Sequence, residues 1–262
     1  MSKRWALLGP PLRPCPFDVA IATRVVTAQS TTKRPLRALI LGVTPELATL
    51  PWPEGTQLRA IDRVASMIET LWPREGLPAD AEAILGEWQS MPFSPSSIDV
   101  VLGDGVLVPL AFPAQATQLF DEVRRVLVED GAFVLRSFVA PDARESLDAI
   151  AEDLRAGRVA SVHVLKWRLA MAIQASAAQG VCVEAIYDAF AAMVPDRDAL
   201  ADRLGWPQVA MTTFDSYPGS TSRYAFLRLA ELEALCAQRF VVRERVTPTY
   251  PLGERCPTFI LT

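Results

Sequence analysis

Histidine is almost absent: the chain of 262 residues has one, His163. Ser-His-Asp hydrolysis is therefore disfavoured, and no Gly-x-Ser-x-Gly elbow occurs. The four cysteines, Cys15, Cys182, Cys236 and Cys256, are far apart and form no Cys-x-x-Cys pair. With one histidine they offer no credible zinc site, so no metal is expected. They read instead as small buried hydrophobes in a reducing compartment. Blocks of like charge are also missing, and the net charge is −4. Gripping a phosphate backbone normally takes a concentrated basic face, so no nucleic-acid partner is expected. No apolar run reaches the length that crosses a bilayer. The opening "MSKRWALLGPPLRP" has a basic pair but no long apolar region behind it, which is not the pattern of a signal peptide. A cytoplasmic protein without a membrane partner is the expectation.

What is present is apolar. Half the residues are hydrophobic and 21% are charged, enough for a large core and too apolar for disorder. The mean hydropathy of +0.20 leaves a surplus that a self-association surface, such as a homodimer interface, would absorb.

Residues 1–17 are too rich in proline for one regular helix. "DVAIATRVVTAQ" fits a helix with Asp18 as its N-cap, and the polar link "STTKRP" follows. "LRALILG" is an apolar run of strand length, as in a parallel strand buried on both faces. In "TPELATL" Thr44 suits an N-cap and Pro45 the first helical position, where a missing amide costs nothing. The alternation continues with strand "QLRAID", helix "RVASMIETLWP", strand "EAILGE", strand "SIDVVLGDG", helix "PAQATQLFDEVRRVLVEDG" and strand "GAFVLRSFV". In that last helix Leu119, Val123 and Val126 share a face, and Gly131 reads as its C-terminal stop. Strands and helices alternating in this way predict a doubly wound α/β sheet. After about Pro141 the pattern turns Ala-rich and helical, and "LAELEALCAQR" is a further helix. Two strand candidates, "FVVRERVT" and "CPTFILT", close the chain. The predicted organisation is one domain over 1–262: an N-terminal arm and helix (1–36), a sheet core (37–141), a helical insertion or lid (142–238) and a closing strand pair (239–262).

Ligands of such sheets bind outside the C-terminal strand ends. At the first tip, "LGVTPEL", Gly42 allows a sharp turn and close approach of a ligand, and the helix start offers free amides; an ordinary strand–helix turn would look the same. Asp62 ends the second strand about 20 residues further on, where an acid can accept from ribose hydroxyls or simply cap the next helix. After the third strand, Glu87 can accept from an adenine amino group, and the Trp88 indole can cover a base. Gly103, Asp104 and Gly105 end the fourth strand in a loop holding one acid.

"ALILGVTPELA", "LRAID", "GEWQSMPFSPSSIDVVLGDGVL" and "LFDEVRRVLVEDGAFVLRSF" together resemble the class I (Rossmann-like) S-adenosylmethionine-dependent methyltransferases. The resemblance covers about residues 37–139 and the closing strand pair. It implies a seven-stranded, mostly parallel sheet with an antiparallel last strand and a helical insertion after the fifth. It further implies that Leu41, Gly42, Val43, Thr44 and Pro45 line the methionine end and that Asp62 holds the ribose. Glu87 would take the adenine amine, with Trp88 and Arg63 or Met67 beside the ring. Gly103, Asp104 and Gly105 would approach the methionyl amine and sulfonium. The family's glycine-rich first loop is reduced here to "LGVTPEL", and Arg13 in the arm is a candidate for the cofactor's carboxylate.

Methyl transfer from a sulfonium needs alignment and exclusion of water more than a catalytic signature. His163 is the candidate base, with a half-buried structural histidine as the alternative. Lys166 and Arg168 read as a solvated helix edge. Lys166, Trp167, Tyr217 and Tyr224 are candidate acceptor contacts, although aromatic residues at such junctions usually pack in cores. Three functions are consistent with these residues. The leading one is methyl transfer to a small-molecule acceptor. The second is a non-catalytic nucleoside-binding or regulatory protein on the same fold. The third, a nicotinamide-dependent oxidoreductase, wants the full Gly-x-Gly-x-x-Gly that this chain lacks.

Overall fold

Strands β1 (Arg37–Leu41), β2 (Gln57–Asp62), β3 (Glu82–Leu85), β4 (Ile98–Asp104) and β5 (Leu127–Arg136) alternate with helices α1 (Pro16–Gln29), α2 (Pro45–Ala48), α3 (Ala65–Leu71) and α4 (Ala114–Val126) in a computed structural model. It describes residues 5–30 and 34–262; the basic pair Lys3-Arg4 and part of the polar link before β1 lie outside the described residues. The insertion contributes α5 (Leu147–Arg155), α6 (Val162–Ile173), α7 (Val183–Met193), α8 (Arg197–Leu204) and α9 (Gln208–Met211). Helix α10 (Leu229–Ala237) leads to β6 (Val242–Val246) and β7 (Thr258–Leu261). Among the described residues no helix is long and apolar enough to cross a membrane.

The seven strands lie in the order β6-β7-β5-β4-β1-β2-β3. All neighbours run parallel except β7, which is antiparallel to both β5 and β6. From β1 the chain winds outward to β3, then returns to β4 on the other side, so strand order reverses between β1 and β4. Such a switch point leaves a crevice at the strand tips because the two crossovers depart on opposite faces.

Alternation along the strands sorts the core. Leu39, Leu41, Val101, Phe133 and Leu135 pack on one face with Leu119, Phe120, Val123 and Val126 of α4. Ala38, Ile40, Val100, Leu102 and Val134 pack on the other with Ile21, Val25 and Val26 of α1. The insertion has its own core around Leu165, Ile186, Phe190 and Phe214, joined from the sheet side by Val108 and Phe138.

Two local expectations are corrected. Helix α1 starts at Pro16 with Cys15 as its N-cap, and Asp18 is its third residue, accepting from the Cys15 amide at 2.9 Å. Proline at the first position extends the helix upstream, and the acid reaches back to cap it. Gly131 does not stop α4: the helix ends at Val126 and β5 begins at Leu127 without a connecting turn. Gly131 lies inside β5, where a Cβ would come within 2.9 Å of Leu127 Cδ2 and 3.0 Å of the Val128 carbonyl.

The opposite, N-terminal ends of β1 and β4 are clamped electrostatically. Buried Asp99, in β4, accepts from Arg34 Nη2 at 2.5 Å, from Arg37 Nη2 at 2.8 Å and from the Arg37 amide at 2.9 Å. Burial opposes its charge, but the bonds from Arg34 and Arg37 outweigh it and hold the carboxyl well below the usual range. A lowered carboxyl stabilises the fold above its ordinary value, and that stabilisation fades as pH falls below about 4. Asp99→Asn should therefore lower unfolding stability by about 2–3 kcal/mol at pH 7, measured by urea denaturation. The gap from the parent protein should close only in acid.

Candidate functional site

Strand register sets the site. Leu41 of β1 pairs with Ile61 of β2 and with Gly103 of β4. One residue further along come Gly42, Asp62 and Asp104, and Asp104 pairs in turn with Arg136 of β5. A glycine, two acids and an arginine thus fall in neighbouring positions along one edge of the sheet.

The Ile61 carbonyl holds this edge together. It accepts from the Gly42 amide at 2.8 Å and from Trp88 Nε1 at 2.7 Å. One oxygen therefore ties the tips of β1 and β2 to the segment after β3. Gly42 has φ +90°, a conformation that side chains disfavour. A Cβ there would lie 3.8 Å from Asp62 Oδ2 and 3.9 Å from Trp88 Cζ2, so it would occupy the space between acid and indole. Asp62 Oδ1 accepts from the Val64 amide at 2.8 Å, while Oδ2 accepts no hydrogen bond among the described residues. Asp62 therefore supports the turn into α3, though Val64 is that helix's N-cap. Burial pushes its carboxyl up, the Val64 amide and Arg63 pull it back, and Glu87 adds to the rise.

Behind Asp104 lies a buried ion cluster. Arg136, 4% exposed, donates to Asp104 Oδ1 and to the Pro11 carbonyl, and to the Tyr250 hydroxyl at 3.1 Å. Its Nε lies 3.2 Å from Asp18 Oδ1. Desolvation works against the guanidinium, but Asp104, Tyr250 and Asp18 outweigh it and keep Arg136 firmly charged. Burial lifts the Asp104 carboxyl above its ordinary range, with Arg136 pulling against it. Next door, Gly105 has φ +64°, and a Cβ on it would meet the Phe138 ring at 2.9 Å.

These groups open onto a hollow of about 490 Å³. Of the predicted cofactor residues, Leu41, Gly42, Val43, Thr44, Asp62, Met67, Trp88, Asp104 and Gly105 line it. Pro45, Arg63, Glu87 and Gly103 do not. Pro45 starts α2, and a Cβ on Gly103 would press on Val106 and Phe133 at 3.2 and 3.3 Å, so that glycine serves packing. Glu87 is exposed: the chain after β3 turns Trp88, not Glu87, onto the edge. Arg63 lies in a shallow recess beside the mouth with Ser220, Ser222 and Arg223. Arg13 pairs with Glu46, which also accepts from Trp5 Nε1 at 3.2 Å, so Arg13 is engaged outside the hollow. The arm contributes Trp5, Leu8 and Leu12 to the wall instead.

The four candidate acceptor residues, Lys166, Trp167, Tyr217 and Tyr224, all line the hollow, joined by Val108, Pro109, Phe138, Thr213 and Ser216, which sequence patterning did not single out. Lys166 and Arg168 are not a solvated edge. Helix α6 is buried from Val162 to Ala172; Lys166 is 1% exposed, and Arg168 is paired with Glu145 and Asp153 at 2.6 Å. His163 lies outside the lining. A Cβ on Gly9 would touch its ring at 3.3 Å, and its Nδ1 is buried without a partner among the described residues. Burial and then Lys166 push it down to about 4, so it is neutral and weakly basic at pH 7. Its packing and low basicity fit the structural alternative better than a poised base. Among the described residues no three His, Cys, Asp or Glu side chains gather as metal ligands.

Residues 39–135 match the family model described as a methyltransferase domain. No curated protein matches the chain. Solved structures match across nearly the whole chain. A protein of Rhodobacter sphaeroides with the provisional name of zinc-dependent alcohol dehydrogenase has TM-score 0.56 and 13% identity, covering 100% of this chain and 96% of its own. An S-adenosylmethionine-dependent methyltransferase of Aquifex aeolicus has TM-score 0.51 and 12% identity, covering 100% and 97%. One from Methanosarcina mazei has TM-score 0.50 and 16% identity, covering 95% and 97%. At such identities these likenesses describe the fold. The fold is the Rossmann-like one of class I methyltransferases, and the family model matches its sheet core.

Arg136→Met would leave Asp18 and Asp104 buried without their shared cation. It should cost about 3–5 kcal/mol of stability, read by chemical denaturation; a change below about 1 kcal/mol would mean that the cluster is not what joins arm, sheet and closing loop.

Proposed function

We propose that this chain transfers a methyl group from S-adenosylmethionine to a small-molecule acceptor by in-line displacement. The observation that carries the reading is the edge at Gly42, Asp62, Trp88 and Asp104, four groups at strand tips opening onto one hollow. The space that a Gly42 Cβ would fill, between a buried acid and an indole, suits a nucleoside lying across the first two tips. When bound, the cofactor supplies an electrophilic methyl on a sulfonium whose leaving group is a neutral thioether.

The residues divide the work. Asp62 accepts from the ribose hydroxyls through its unpartnered Oδ2. Trp88 covers one side of the adenine and Met67 borders it, the indole fixed in place by its bond to the Ile61 carbonyl. Gly42 and Gly105 let the backbone approach, and Asp104, held by Arg136, places negative charge toward the cationic amine and sulfonium. Phe138, Trp167, Tyr217 and Tyr224 wall the far side, exclude water and align the acceptor. A protein that only bound a nucleoside would have no use for an aromatic far wall in the same hollow, which favours catalysis over a binding role. In this reading residues 142–238 act as the lid over the acceptor half.

Calorimetric titration with S-adenosylmethionine and S-adenosylhomocysteine tests the reading: both should bind, and NAD should not. Asp62→Ala should weaken both by about tenfold or more, as expected for lost hydrogen bonds to a charged group, while thermal unfolding shows an intact fold. Absence of heat with both ligands would refute the proposal.

A further inference from the structure

The hollow is divided by charge. Asp62 and Asp104 lie at the sheet edge, while the cation in its lining is Lys166 on the insertion side. Lys166 is nearly inaccessible yet has no carboxylate within ion-pair distance among the described residues. Its Nζ donates to the Thr213 carbonyl and to Thr213 Oγ1, both at 3.0 Å. It also lies 4.4 Å from the Phe214 ring centroid and 4.6 Å from that of Tyr217. An ammonium has three N–H donors, and the two Thr213 acceptors leave one over. A buried cation without a counter-ion is costly, and the hollow is where an anion could be supplied.

The surrounding wall is aromatic. Trp167 packs edge-on against Phe138 at 5.3 Å, against Tyr224 at 5.8 Å and against Phe226 at 5.1 Å. Tyr217 meets Tyr224 at 6.4 Å. Such interlocked rings make a rigid, flat-sided chamber suited to a planar guest. Beside the mouth, Arg63 and Arg223 line the shallow recess that shares Tyr217 and Tyr224 with the hollow.

We propose that the methyl acceptor is an aromatic molecule whose nucleophile is an acidic oxygen, held as an anion against Lys166 Nζ between the rings of Tyr217 and Trp167. This rests on the methyl-transfer reading and names the acceptor class for it. Burial pushes the Lys166 ammonium down to about 7, with Asp215 pulling the other way. Asp215 is itself paired with Arg197 at 2.7 Å, His163 is neutral, and burial pushes the Tyr217 and Tyr224 hydroxyls up, so both stay protonated. No anion among these groups lies within ion-pair distance of Lys166 to compete with the acceptor. At neutral pH the amine can take the acceptor's O–H proton, or meet the oxygen already ionised; both routes give the same ammonium–oxyanion pair. The oxygen lone pair then forms the new C–O bond as the methyl C–S bond breaks and its electron pair stays on sulfur. Lys166 returns the proton to water.

The test uses three nitro-aromatic probes and the full chain. 4-Nitrophenol carries the acidic oxygen, 4-nitrobenzoate carries it as a carboxylate, and 4-nitroanisole is the neutral methyl ether. Binding is followed by calorimetry, and ionisation of the phenol by its yellow absorbance, without any turnover. An acidic probe should bind about tenfold or more tighter than the ether, and bound 4-nitrophenol should ionise at lower pH than free. The tighter of the two acidic probes assigns phenolate or carboxylate. Lys166→Met should abolish both effects, Lys166→Arg should keep the preference for the acidic probe, and both variants should bind S-adenosylhomocysteine like the parent, which shows that they fold. Equal affinity for ether and acids, or a preference that survives in Lys166→Met, would overturn the proposal. Failure of the parent protein to bind S-adenosylhomocysteine would sink the methyl-transfer reading instead, and the two failures are separately visible.

Discussion

The carbonyl oxygen of Ile61 is the constraint on which the site depends. A carbonyl has two lone pairs, and here one goes to the Gly42 amide and the other to the Trp88 indole. Three segments that are distant in sequence, the ends of β1 and β2 and the turn after β3, are thereby fixed on one atom. The Gly42 amide makes this bond as the last rung of the β1–β2 ladder, and its φ of +90° then takes the chain out of the strand. The tryptophan is held in one orientation by the same oxygen. The unpartnered Asp62 carboxylate oxygen, one residue past Ile61, then faces the gap between them, and the protein leaves that gap open.

A second constraint closes the other side. Arg136 gathers the arm through the Pro11 carbonyl, α1 through Asp18, β4 through Asp104 and the closing loop through Tyr250. Of the two carboxyls that Arg136 faces, Asp104 lines the hollow, and Lys166 lines it from the insertion. In the proposed reading the donor half is acidic and the acceptor half basic. A cationic methyl donor and an anionic acceptor would each be drawn to its own side, and their charges would cancel as the methyl passes. Lys166 tolerates burial through the Thr213 oxygens and the faces of two aromatic rings, an arrangement that costs least when an anion joins it.

How much of this could be read from sequence follows from how local each feature is. The strands, the order of the core elements, Gly42 and Asp62 were legible because an apolar run that ends in a glycine or an acid is a signal carried within a few residues. Asp104 and Gly105 were legible in the same way. That Trp88 lines the hollow and Glu87 does not was not legible. It turns on the path of the chain through Gly86 after a four-residue strand, and no periodicity in that segment distinguishes the two side chains. Gly131 misled because α4 passes into β5 without a turn, so a glycine that a helix stop would also favour is in fact a strand residue. Lys166 and Arg168 looked solvated because charge on a helix usually is. Their burial comes from residues 145, 153, 213 and 214, remote in sequence, which no local pattern could show. The partners of Arg136 are dispersed from residue 11 to residue 250 and were invisible for the same reason.

The central claim, that one adenosine lies across the tips of β1 and β2 with its sulfur end toward Asp104, is tested most directly by a crystal structure of the chain with S-adenosylhomocysteine. The account predicts ribose hydroxyls within hydrogen-bond distance of Asp62, the adenine against Trp88, and the thioether sulfur between Asp104 and the aromatic chamber around Lys166. A ligand bound anywhere else, or one whose ribose avoids Asp62, would contradict it.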